Sequence, residues 1–142
     1  MCTGTFGEPV GKITFGAGVG PGPAFESSST GYFNDPIGCP NDKFYSIINK
    51  RSPGCQREAW HRVEQDHTGN SKGYMMPVNA ADLGAGDFYV QTIRGLCAGT
   101  TYEFGAYIVE NIIPGQLPQC HPRNLLSIRQ QSFCNCYISR LG

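Results

Sequence analysis

Charge is scarce in this chain. Lys and Arg number 11 and Asp and Glu 11 among 142 residues, which is 15% charged with a formal net charge of zero. Soluble domains usually carry about 25%. No basic patch or run of like charges exists, so neither nucleic acid nor an anionic membrane surface is expected as a partner. No apolar stretch reaches the roughly 18 residues needed to span a bilayer as a helix, so membrane insertion is not expected either. Met1-Cys2 leads into no basic region followed by an apolar one. A secretory leader is therefore expected to be absent from this stretch, removed or lying upstream in a longer chain.

Several motifs are missing as well. No Cys-x-x-Cys or His-x-x-x-His pair gives zinc spacing. The loop Gly16-Ala-Gly-Val-Gly-Pro-Gly-Pro23 has proline where the dinucleotide fingerprint needs its last glycine, and no Lys-Ser/Thr follows, so it reads as a plain loop. No Gly-x-Ser-x-Gly nucleophile turn is present. Glu103 is the acid singled out inside a strong strand pattern, and no carboxylate is read as facing it across a cleft as glycoside hydrolysis requires. No segment has a convincing 3.6-residue apolar period, which argues against helices.

What the chain has in plenty is glycine, proline and cysteine. Nineteen Gly and ten Pro punctuate short aromatic and β-branched runs. Strands are read at Lys12–Phe15, Thr30–Phe33, Lys43–Asn49, Trp60–Val63, Tyr74–Ala80, Asp87–Ile93 and Thr100–Ile113. Seven or eight short strands at this spacing point to an all-β sandwich, and the length suits one domain. Pro77 has no N–H for a ladder, so its strand is expected at an edge or with a bulge. On Thr100–Ile113, Tyr102, Phe104, Ala106 and Ile108 share one face, with Glu103, Gly105, Tyr107 and Val109 on the other. Residues 130–142 show no clean alternation. Residues 1–129 are read as the β-sandwich domain and 130–142 as an atypical tail, a truncated or frameshifted end. Seven cysteines are too many for an ordinary cytosolic domain of this size, so disulfides in an oxidising, extracellular or cell-surface setting are expected. Cys39 and Cys55 flank one aromatic run beside Pro and Gly, so a bridge between them would close that loop.

The polar turn Asp66-His-Thr-Gly-Asn-Ser-Lys-Gly73 is the sharpest candidate site. Asp66 and the Thr68 hydroxyl are oxygen ligands of the kind Ca²⁺ takes from loops, with Glu8, Asp35 or Asp42 as further donors. The competing reading is that both side chains cap their own turn. Asp66 and His67 are neighbours on extended chain and point apart, so a catalytic dyad is not expected. Trp60, Tyr74, Tyr89 and Tyr107 offer ring faces of the kind that stack on sugars. Tyr107, with Glu103 on the same face, is the better placed, whereas Trp60 has core packing as its competing reading. His61 and His121 have no partner pattern and are expected at the surface.

Two stretches carry a family resemblance. Trp60, then Asp66-His-Thr-Gly, then Gly73-Tyr-Met-Met-x-Val-Asn-Ala80, is followed by Phe88-Tyr-x-x-Thr-Ile-x-Gly-Leu-Cys-x-Gly-Thr-Thr-Tyr-Glu-Phe-x-Ala-Tyr-Ile108. This pattern resembles a domain of large exported surface proteins of Bacteroidetes linked to gliding motility and type IX secretion. It is similar, more distantly, to MAM domains of animal adhesion molecules. The likeness runs from Cys2 to Asn111. It implies a jelly-roll β-sandwich in an exported, multidomain parent, with adhesion or glycan binding rather than catalysis. The partner would be a glycan or a surface protein. A structural spacer in a large adhesin and a carbohydrate-active enzyme fragment are the alternatives. Tyr107 stands where that family usually keeps Trp. The pattern fades after Pro122-Arg-Asn-Leu, which leaves the jelly roll short of two or three strands, incomplete at its C-terminal end.

Overall fold

The computed structural model describes residues 13–80, 86–94, 105–114 and 136–139. Every regular element among them is a strand: β1 (Phe33–Asn34), β2 (Phe44–Tyr45), β3 (Met76–Asn79), β4 (Tyr107–Glu110) and β5 (Cys136–Ser139). They form one mixed sheet in the order β1-β2-β3-β5-β4. β1 runs parallel to β2, while the β2–β3, β3–β5 and β5–β4 pairs are antiparallel. This agrees with the all-β expectation.

Single bridges extend the pairing beyond the named strands. Arg51 pairs with Val63, and Trp60 pairs with Ile112 just past β4. The chain that leaves β2 therefore turns from β3 to the Trp60–Val63 segment, which joins the end of β4. β4 leads through β5 back to β3, so the pairings close a circuit. The strand reading at Trp60–Val63 survives as these two bridges.

Three expectations are corrected. Pro77 sits in β3, which has β2 on one side and β5 on the other, so its strand is interior. The register puts Pro77 opposite Ser46, whose N–H donates to the Pro77 carbonyl at 3.0 Å. The return bond from a proline nitrogen cannot form. β2 ends at Tyr45, and pairing resumes at Ile48–Met75, so the missing donor takes out one rung, not the strand. Asp87–Ile93 is not a regular strand. It runs beside Ser29–Gly31 on three isolated hydrogen bonds, Gly31 N–H to Asp87 O, Val90 N–H to Ser29 O and the Thr30 hydroxyl to Phe88 O. Cys136–Ser139, inside the stretch without clean alternation, is strand β5 in the middle of the sheet. Its place follows from pairing with β3 on one side and β4 on the other, partners about 30 to 60 positions away that no local pattern names.

β3 is buried along its whole length. One face, with Tyr74, Met76 and Val78, packs on Tyr32, Tyr45 and Ile47, and Phe15, Phe25, Phe88 and Tyr89 close the rim. A second cluster gathers Cys55, Ala59, Trp60 and Ile112. Cys39 and Cys55, 16 residues apart, form a disulfide with Cα atoms 5.4 Å apart. It holds a turn in which Gln56, Arg57 and Glu58 all have positive φ, a left-handed run that L-residues adopt at a cost of roughly 1–2 kcal/mol each. The Gln56 side-chain amide donates to Pro40 O and Ala59 N–H to Gln56 O, which helps hold that run.

Candidate functional site

The Asp66 turn is built by its own side chains. Asp66 Oδ1 accepts from Thr68 N–H (2.9 Å), the Thr68 hydroxyl (2.6 Å) and Asn70 N–H (3.0 Å). Asn70 repeats the device one step later: its Oδ1 accepts from Lys72 N–H and its carbonyl from Gly73 N–H. Asn49 Nδ2 ties the turn to the sheet through Ser71 O. Short Asx side chains compete well for nearby backbone N–H groups, which is why this sequence turns here. Asp66 is 4% exposed. Gly73 lies so close that a Cβ there would meet Asp66 Oδ2 at 2.0 Å, and only glycine allows that approach.

Burial pushes the Asp66 carboxyl toward the neutral form. The Thr68 hydroxyl, the N–H groups of Asn70 and Thr68 and the charge of His67 outweigh it and hold the carboxyl below its ordinary value of 3.8. Asp66 also borders a cavity of about 240 Å³ with Thr14, Phe15, Asn70 and Tyr74. The Asp66 and Thr68 pair expected to hold Ca²⁺ is thus brought together, as an internal hydrogen bond. Among the described residues no cluster of three or more His, Cys, Asp or Glu is placed to hold a metal. Of the further donors considered, Glu8 lies outside the described residues. Asp35 uses Oδ1 for Ile37 N–H and Oδ2 for Cys39 N–H, and Asp42 is exposed.

His67 leaves the turn on the other side. Its ring lies flat on Tyr107 of β4, centroids 3.9 Å apart and planes 19° from parallel. Tyr107 is 51% exposed, so its ring is held in place and still open to solvent. Both faces of β4 reach solvent, since Ile108 and Val109 are exposed too. Burial resumes only at Asn111 and Ile112, where the Trp60 segment joins. Glu103, read as the companion of Tyr107, lies outside the described residues.

Trp60 is placed differently. At 3% exposure it packs with Cys55, Ala59 and Ile112, and the Arg51 guanidinium sits 5.1 Å from its ring centroid. No ring face is left for a sugar, so the residue takes the core role. Tyr74 is likewise core, and Tyr89 is half-buried with its hydroxyl on Gln91. His61 is exposed as expected. Two polar residues escaped the sequence reading. Arg51, nearly fully buried, donates through both Nε and a terminal nitrogen to His61 O, and through its other terminal nitrogen to Asn111 Oδ1 at 2.9 Å. No local pattern distinguishes such a pair, 60 positions apart, from surface residues.

No family model, curated protein or solved structure matches the chain.

Proposed function

We propose that this chain is a non-catalytic binding or adhesion module of an exported surface protein, a jelly-roll β-sandwich that contacts glycans. The observation that carries the reading is the Tyr107 ring, half exposed and braced flat against His67. A flat aromatic face whose orientation is already fixed stacks on a sugar ring without the entropy loss of ordering it. Three further features support it. The regular elements are strands, the Cys39–Cys55 bridge suits an oxidising compartment, and the carboxylates of Asp66 and Asp35 serve their own turns, not a reacting centre.

The disulfide-intact chain, applied to an immobilised glycan array, is expected to retain at least one class of saccharide. Tyr107→Ala should weaken retention at any glycan that stacks on this ring, with the melting temperature lowered by no more than about 3 °C. A blank array across neutral and acidic glycans refutes the glycan contact and favours a structural spacer.

A further inference from the structure

We infer that the loop between β1 and β2 forms a binding site for a neutral saccharide, separate from the Tyr107 ring. The inference rests on the binding-module reading and locates a site that neither the family resemblance nor the sequence reading picked out. Asn34, Pro36, Ile37, Asn41 and Phe44, with Asp35 and Cys39, line an open recess of about 400 Å³. That volume falls within the range of about 300–1,000 Å³ usual for small-molecule sites.

The loop is built to hold its shape. Asp35 N–H bonds to Tyr45 O of β2, and its carboxylate takes the N–H groups of Ile37 and Cys39 at 2.8 and 3.1 Å. Cys39 is bridged to Cys55. The Pro40 carbonyl accepts from both Asn79 Nδ2 and Gln56 Nε2. So firm a loop nevertheless leaves its apolar side chains in water: Ile37 is 88% exposed and Phe33 59%, the latter packed on Phe44 with ring centroids 5.3 Å apart. Folding alone does not call for that arrangement, whereas a rigid apolar rim around a cavity is what a preorganised ligand site needs.

The lining chemistry selects the ligand. Asp35 is the one charged residue of the cavity; its oxygens accept the N–H groups of Ile37 and Cys39, and its negative charge disfavours an anionic ligand. The side-chain amides of Asn34 and Asn41 make no hydrogen bond to any described residue. Each carries two donors and an acceptor, the complement of hydroxyls that both donate and accept. Apolar rings and branched carbons beside two amides suit a pyranose, with C–H groups against Phe44 and Ile37 and hydroxyls on the amides. A peptide added to the sheet edge is the weaker fit. β1 is two residues long, and Phe33 and Asp35 already donate to the β2 segment, so the open edge offers the backbone groups of Asn34 alone.

The test uses the disulfide-intact, isotope-labelled full chain. Cellobiose, maltose, lactose, chitobiose and mannobiose serve as neutral probes, sialyllactose as an acidic one and N-acetyl-leucine amide as a peptide mimic. At least one neutral sugar should shift the side-chain amide signals of Asn34 and Asn41 in a saturable titration. Asn34→Ala and Asn41→Ala should each weaken its binding roughly 3- to 10-fold without changing the melting temperature, and Tyr107→Ala should leave it unaltered. Sugar binding that responds to Tyr107→Ala but to neither asparagine variant overturns this site and keeps the binding-module reading. Binding of sialyllactose alone, or of N-acetyl-leucine amide alone at this loop, overturns the neutral-sugar assignment. No binding of any sugar, together with a blank glycan array, overturns both.

Discussion

Replacing Asp66 by Ala removes the acceptor for three hydrogen bonds, two from backbone N–H groups of the turn and one from the Thr68 hydroxyl. Hydrogen bonds to a charged group contribute about 1.5–3 kcal/mol each when fully buried. Here the freed donors belong to Thr68 and Asn70, both exposed residues, and can turn to water, so the scale of a lost helix cap, about 0.5–2 kcal/mol, is nearer for each. We expect a total loss of about 2–3 kcal/mol. For 142 residues this lowers the melting temperature by about 7–10 °C. Asp66→Asn, which keeps an acceptor at Oδ1, should lose about half as much. The effect must also depend on pH, with a defined sign. The folded carboxyl titrates below 3.8, so its stabilisation is complete above the unfolded value and is lost as pH falls through the folded one. Urea unfolding of the wild type and Asp66→Ala should therefore differ near pH 7 and converge toward about pH 2. A difference under about 0.5 kcal/mol near neutrality, or one unchanged down to about pH 2, would refute the turn-capping role.

The remaining predictions concern the neighbours of that turn and the two clusters of the core. Gly73→Ala should destabilise by about 2 kcal/mol or more, because its Cβ would lie 2.0 Å from Asp66 Oδ2; pairing it with Asp66→Ala should recover part of that loss, as a double-mutant cycle will show. Millimolar Ca²⁺ should leave the melting curve where chelator puts it, and a rise worth about 1.4 kcal/mol that vanishes in Asp66→Ala would establish a metal site instead. Thiol counting on the denatured, unreduced protein should find at most five of seven cysteines free, and Cys55→Ser should cost roughly 3 kcal/mol in denaturant unfolding. Trp60→Ala should cost about 3–5 kcal/mol and Tyr107→Ala under about 1 kcal/mol, a contrast that calorimetry can read directly.

The features legible in the sequence are those whose causes lie within a few residues. Asp66, Thr68 and Asn70 make their turn from side chains two to four positions apart, so the residue types alone predict it. The Cys39–Cys55 bridge closes a short loop between turn residues, and its partners can be guessed from their flanks. Strand character follows from aromatic and β-branched runs between glycines and prolines. What tertiary structure alone decided depends on which distant segments pair. Trp60 is core because Cys55, Ala59 and the Arg51 guanidinium pack against it and Ile112 is brought to it from a distant position in the chain. Pro77 is tolerated in an interior strand because its nitrogen meets the single rung at Ser46, a fact of register that no local pattern carries. Cys136–Ser139 is a strand because it pairs with β3 on one side and β4 on the other. His67 and Tyr107, 40 positions apart, become a stacked pair only when the turn after the Trp60 segment is laid beside β4. The Asn34–Phe44 cavity needs β1 parallel to β2. A turn is settled by hydrogen bonds between residues a few positions apart, whereas pairing between remote strands depends on packing and burial across the whole sheet.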